Sequence, residues 1–132
     1  VKQNSRPKIL VAEDSLAIAA LIRVNLERNE FSVRHAPNGR EAWECAQREH
    51  FDLVVTDEQM PIMSGQELCR LLRNDERYSQ TPIVFITAKR FELEARHLKN
   101  DLRVSAVFGK PFSIEHLVAT VSSEISTSTT AA

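Results

Sequence analysis

The sequence predicts an α/β fold in which helices cover both faces of a doubly wound, five-stranded parallel sheet. Three observations carry that prediction. Short runs of β-formers alternate along the chain with longer segments of helical periodicity. The middle runs, Leu53-Val54-Val55 and Ile83-Val84-Phe85-Ile86, are apolar on both faces, as central parallel strands are. Short connections follow each run, the pattern of a sheet built by helical crossovers.

Lys8-Ile9-Leu10-Val11-Ala12 reads as the first strand. Ser15 is placed to cap a helix reaching about residue 30, with Ile18, Leu21, Ile22 and Leu26 on one face. Residues 31–35 alternate as a half-exposed strand at a sheet edge, and Pro37-Asn38-Gly39 punctuates before a second helix whose apolar side carries Ala42, Cys45 and Ala46. Residues 52–56 form the central strand, which Met60-Pro61 prevents from continuing, and Gly65 opens a third helix built on Leu68, Leu71 and Leu72. Pro82 begins the fourth strand. A fourth helix then uses Phe91, Ala95, Leu98 and Leu102, residues 104–108 form the fifth strand, and Ser113 caps a last helix buried through Ile114, Leu117, Val118, Val121 and Ile125. Right-handed crossovers leave few topologies, of which the flavodoxin-like strand order 2-1-3-4-5 leads. One domain is expected over residues 8–125. The polar, basic residues 1–7 and the Ser/Thr/Ala-rich residues 126–132 are expected to be loose, the latter as a terminus or as a linker toward another domain.

Composition narrows the function classes. A chain of 132 residues is long enough for a real core, and 42% apolar with 27% charged residues is the balance of a globular protein. A net charge of -1 gives no global electrostatic case for direct nucleic-acid or membrane binding. No apolar run approaches the roughly 20 residues that span a bilayer, and no signal-peptide pattern opens the chain, so a cytoplasmic setting is expected. Cys45 and Cys69 lack C-x-x-C spacing and read as structural thiols on half-buried helix faces. Histidines at 35, 50, 97 and 116 are too scattered for zinc.

The chemistry lies where strands end. Asp57 follows the central strand, Glu13-Asp14 the first, Thr87 ends the fourth and Lys110-Pro111 follows the fifth. Ligands of open α/β sheets bind at that edge. Taken singly, each residue has an ordinary reading: a strand-end Asp caps a helix, Thr87 is a routine strand residue and Lys110 a solvated charge. Taken together, carboxylates, a hydroxyl and an ammonium at one edge are the inventory of a phosphoryl-accepting metal site. Crowded carboxylates repel, and a hard divalent ion such as Mg2+ relieves that repulsion. Phosphoryl transfer then needs positioning and neutralisation of three oxygens. The metal takes one, Lys110 another and the Thr87 hydroxyl a third, while Asp57 attacks in line.

Residues 9–14 (Ile-Leu-Val-Ala-Glu-Asp), Asp57 with Met60-Pro61-Ile62-Met63-Ser64-Gly65, Ile86-Thr87-Ala88 and Gly109-Lys110-Pro111-Phe112 together resemble the receiver domain of the two-component response-regulator family. The resemblance covers residues 7–125. It implies that Asp57 is the phosphoacceptor, supplied by a histidine kinase or histidine phosphotransfer protein. It implies that Asp14, Asp57 and the Gln59 carbonyl hold Mg2+, with Glu13 acting through water, and that Thr87 and Lys110 bind phosphoryl oxygens. It implies a cis Lys110-Pro111 peptide. Gln59 and Lys89 occupy the positions that, by this resemblance, tune phosphate lifetime. The regulated surface it implies is the face of the fourth helix, fifth strand and fifth helix, where Arg90, Glu92, Glu94, Arg96, His97, Lys99 and His116 would meet a second copy or an output partner.

Three positions depart from the family pattern. Val107 stands where the family usually has a switching aromatic, and strand alternation sends the neighbouring Phe108 to the opposite face. Arg103-Val104 replace the usual Gly-Ala before the fifth strand. Glu58 replaces an apolar residue after the phosphoacceptor and is expected to point into solvent. These changes spare the chemical pocket and fall on its output. A pseudo-receiver, folded alike but used as a phosphorylation-independent docking module, is the alternative reading. A nucleotide- or flavin-binding enzyme lacks support, since the chain has three glycines and no phosphate-cradling loop motif. A haloacid-dehalogenase-like phosphatase would want a second acidic residue where Gln59 stands. By this reading the protein is a signalling module, with no enzymatic activity beyond its own phosphorylation and dephosphorylation.

Overall fold

The structure is a computed structural model that describes residues 5–88 and 91–131, with side chains described for 5–88 and 95–127. Its elements are β1 (Lys8–Ala12), α1 (Leu16–Arg28), β2 (Ser32–Ala36), α2 (Gly39–Arg48), β3 (Leu53–Asp57), α3 (Gly65–Arg73), a 3-10 turn (Glu76–Tyr78), β4 (Ile83–Thr87), α4 (Phe91–Asp101), β5 (Ala106–Gly109) and α5 (Ile114–Ala131). All five strands are parallel, in the order β2-β1-β3-β4-β5. This is the flavodoxin-like α/β fold that the sequence predicts.

Alternation along the strands builds two cores from one sheet. Leu10, Ala12, Val54, Ile83 and Phe85 face α2, α3 and α4, where Ala42, Leu68, Leu72 and Leu98 meet them. Ile9, Val11, Leu53, Val55, Val84 and Ile86 face α1 and α5, against Ile22, Leu26, Leu117 and Val121. A fully buried side chain of this size stabilises by about 1.5–3 kcal/mol, so a one-residue register slip would forfeit both cores. Tyr78 closes the end of the first core, its hydroxyl donating to Ala46 O at 2.9 Å and Glu49 O at 3.0 Å.

Helices α1, α2, α3 and α5 are capped where they start at the carboxyl edge of the sheet. Ser15 Oγ accepts from Ile18 N at 3.3 Å, Asn38 Oδ1 from Glu41 N at 2.9 Å and Ser113 Oγ from His116 N at 3.1 Å. Ser64 and Glu67 form a reciprocal capping box at the start of α3. The caps satisfy helix donors and hold the strand-to-helix loops in fixed conformations.

Several boundaries differ from expectation. The first helix stops at Arg28, because Asn29 caps it and Glu30 takes φ 72°. The fifth strand starts at Ala106: Arg103 takes φ 54° and Val104 N still donates to Leu98 O at 3.4 Å, so the chain is closing α4 there. The tail expected to be loose continues α5 to Ala131. Ile125 packs against the second core, and helix propagation past it costs little once the helix is nucleated. At the other end, Pro7 O accepts from Ser32 N at 2.9 Å, and Arg6 pairs with Glu30 at 3.2 Å. Cys45 and Cys69 are free and buried, not half-buried, and burial pushes the Cys69 thiol up to about 12. Lys89 and Arg90, and the side chains of residues 91–94, lie outside the described residues. Among the described residues no helix is long and apolar enough to cross a membrane.

Gly65 ties α3 to the end of β3. Its N–H donates to Glu58 O at 3.0 Å, and a Cβ there would lie 2.1 Å from Asp57 O. That oxygen is backbone and cannot swing aside. Gly65→Ala is therefore expected to destabilise by about 1–3 kcal/mol. In urea unfolding this reads as a lower midpoint with an unchanged slope.

Candidate functional site

Parallel registry brings four strand ends to one edge. Ala12 pairs with Thr56, Asp57 with Ile86 and Thr87 with Gly109. Glu13 and Asp14 follow β1 directly, Asp57 and Thr87 are the last residues of β3 and β4, and Lys110 comes directly after β5. The peptide from Lys110 to Pro111 is cis.

Asp57 is buried at 3% exposure, and both its carboxylate oxygens are engaged. Oδ1 accepts from Glu58 N at 2.9 Å, and Oδ2 accepts from Lys110 Nζ at 3.0 Å. Burial alone would lower the Lys110 ammonium. The Asp57 hydrogen bond and charge, with Glu13 and Asp14 behind them, instead hold it above its ordinary value. Thr87 is fully buried, and its carbonyl accepts from Lys110 N at 3.0 Å. Gln59 lies two residues beyond β3 with an exposed side chain.

Glu13 is the unusual member. Glu13 is 1% exposed; Oε2 accepts from Ser15 N at 3.0 Å, while Oε1 is buried with no hydrogen-bond partner among the described residues. Burial pushes the carboxyl up to about 7 against the Ser15 hydrogen bond, which pulls it down, and the Asp57 charge adds to the rise. Asp14, by contrast, is exposed. One oxygen from each of Glu13, Asp14 and Asp57 lies within 4.8 Å of the others. An orphaned buried acceptor beside two more carboxylates fits a hard cation or its water, with oxygen ligands as Mg2+ requires.

Two contacts escaped sequence reading. Glu58 does not point into solvent: its Oε1 accepts from Gln66 N at 3.0 Å, where a carboxylate suits the positive end of α3. His35, on β2, donates from Nε2 to the Glu13 carbonyl at 2.6 Å. Strand alternation says which face a residue takes, but not that its ring reaches across to a neighbouring chain end.

This fold and acidic pocket define a class, and comparison with known proteins agrees. The response regulator receiver domain family matches residues 9–122, and the chain belongs to that family. The chain is 37% identical over 114 residues to the alkaline phosphatase synthesis transcriptional regulatory protein PhoP of Bacillus subtilis, covering 86% of this chain and 46% of that protein. It is 40% identical over 119 residues to hybrid signal transduction histidine kinase D of Dictyostelium discoideum, covering 89% of this chain but 8% of that protein. It thus spans half or less of the length of these relatives. Among solved structures it resembles the Francisella response regulator 1452 receiver domain, with TM-score 0.84, 28% identity and coverage of 93% of this chain and 99% of that one. It also resembles the Vibrio cholerae chemotaxis protein CheY4, with TM-score 0.83, 29% identity and coverage of 90% and 98%. The chain is thus a response regulator receiver domain, a signalling module rather than a catalytic enzyme.

The Glu13 carboxyl gives a stability prediction for metal-free protein. Its folded value near 7 exceeds the ordinary 4.5, so its stabilising contribution is complete below 4.5 and is lost as pH rises through 7. Asp75, held well below its ordinary value by Arg77, has the opposite slope, but it is common to wild type and variant and cancels in their difference. In EDTA, the stability of Glu13→Gln relative to wild type is expected to rise steadily between those two values. Urea midpoints across that range check it; a flat difference contradicts it.

Proposed function

We propose that this receiver accepts a phosphoryl group on Asp57 from a histidine kinase or histidine phosphotransfer protein, in a Mg2+-dependent reaction. The observation that carries the reading is the placement of Asp57: buried at the strand edge, 3.0 Å from the Lys110 ammonium and within reach of the same cation as Glu13 and Asp14. A carboxylate oxygen of Asp57 forms the new O–P bond, and the donor imidazole leaves with the electron pair of the broken N–P bond.

Asp14, Asp57 and the Gln59 carbonyl would hold the ion, with Glu13 acting through water. Bound there, Mg2+ supplies positive charge to a phosphoryl oxygen and offsets the crowded carboxylates. Lys110 leaves its ion pair with Asp57 to meet a second oxygen as the charge moves onto phosphate. The Thr87 hydroxyl donates to a third. Asp57 is held against rotation by Glu58 N, which keeps its oxygen in line with the donor. A cytoplasmic setting belongs to the proposal, and the free thiols of Cys45 and Cys69 accord with a reducing compartment.

The readout departs from the threonine–aromatic coupling of the family. Val107 is half-buried against the first core and has no ring to swing. Phe108 goes to the opposite core, as alternation predicts, and sits edge-on to His116 with centroids 5.0 Å apart. The surface of α4, β5 and α5 is the proposed site for a second copy or an output partner. Among its described residues Arg96, Lys99 and His116 are exposed, and His97 pairs with Asp101 at 2.7 Å.

The test is intact mass after incubation with Mg2+ and a small phosphodonor, then with a histidine kinase. One added phosphate is expected, dependent on Mg2+, absent in Asp57→Asn and undiminished in Val107→Ala. No added phosphate from either donor would favour the phosphorylation-independent docking module instead. Loss of labelling in folded Val107→Ala would contradict the separation of chemistry from readout.

A further inference from the structure

Glu13 stands one residue beyond the end of β1, where a parallel ladder still expects partners for both of its backbone groups. The N–H finds one, donating to Ala36 O at 3.0 Å. The carbonyl finds no ladder partner, because the chain leaves β2 at Pro37 and Asn38 turns away to cap α2. The His35 ring fills that vacancy. Its Nε2 lies 2.6 Å from Glu13 O, and since a carbonyl can only accept, the proton is on Nε2.

Glu13 is thereby held at three points: its N–H by Ala36, its carbonyl by His35, and Oε2 by Ser15 N. The atom left over is Oε1, buried and without a partner among the described residues. Asp14 is the next residue, so the same anchor sets the backbone that carries two of the three clustered carboxylates. We propose that His35 is a positioning residue of the metal site, fixing the Glu13-Asp14 backbone from the neighbouring strand so that their carboxylates converge with Asp57 on one ion. This rests on the Mg2+ reading of the site given above.

A residue that merely strengthened the sheet edge would behave differently. His35 is half-buried and lines an open cleft of about 320 Å³ with Cys45, Arg48 and Ile62, so water can replace its ring at small cost to the fold. Its removal should therefore register in metal affinity more than in metal-free stability.

The experiment is calorimetric Mg2+ titration of the full chain as wild type, His35→Ala and His35→Gln, with urea unfolding of each in EDTA. His35→Ala is expected to weaken Mg2+ binding by about tenfold, the scale of removing an outer hydrogen bond that orients a metal ligand. His35→Gln, whose amide can donate from a similar reach, is expected to restore most of it. Urea midpoints in EDTA should stay close together. Wild-type affinity in His35→Ala would overturn the proposal, as would a Gln variant no better than Ala. A loss of affinity matched by an equal loss of metal-free stability would assign His35 to the fold and overturn it as well. Failure of the underlying reading shows separately: wild type itself would then take up no Mg2+.

Discussion

Three carboxylates at one sheet edge, with reactive oxygens within 4.8 Å of one another, repel strongly wherever water is excluded. Like charges about 4 Å apart cost on the order of 4 kcal/mol at an effective dielectric of about 20, discounted here because Asp14 is exposed. The fold tolerates this through local arrangements that other features of the site then depend on. Lys110 is held against Asp57, Glu13 is pushed toward its neutral form, and backbone N–H groups of Ser15 and Glu58 neutralise one oxygen each. A hard cation relieves the same strain more completely.

Rigid placement makes that arrangement possible. Two apolar cores clamp the sheet, the N-caps at its carboxyl edge fix the loops, and Gly65 lets α3 approach the Asp57 carbonyl more closely than any other residue would. The candidate site is thus built on strand ends and capped turns, while the proposed output surface lies on α4, β5 and α5. Val107 and Phe108 are adjacent residues that serve opposite cores. Under the proposed reading, a signal passing from Thr87 toward β5 would meet the small branched Val107 there and would rest on movement of backbone and helices rather than on a ring changing rotamer.

Most of the fold was legible because parallel sheets write their pattern plainly. Leu53-Val54-Val55 and Ile83-Val84-Phe85-Ile86 leave no polar face, and the helices between the strands carry their apolar residues at regular spacing. The grouping of the candidate site residues was legible for a related reason: Glu13-Asp14, Asp57, Thr87 and Lys110 each fall where a strand ends, and strand ends in such a sheet share an edge. What escaped was governed by local geometry. Arg103 and Glu30 take positive φ without being glycine, which moves two element boundaries. Helix α5 continues past Ile125 to Ala131, and a helix once nucleated propagates cheaply. Glu58 turns back onto the start of α3, and His35 reaches the Glu13 carbonyl; both depend on side-chain direction, which residue type and period do not encode.

The most direct test of the central claim is urea unfolding of Asp14→Asn beside wild type, first in EDTA and then in saturating Mg2+, with ionic strength matched by NaCl. Removing one charge from the cluster should make Asp14→Asn the more stable protein without metal. With Mg2+ the order should reverse, because wild type gains binding energy that the variant lacks. The same order in both conditions, or an equal shift from NaCl alone, would contradict carboxylate crowding relieved by a bound cation as the organising constraint of this site.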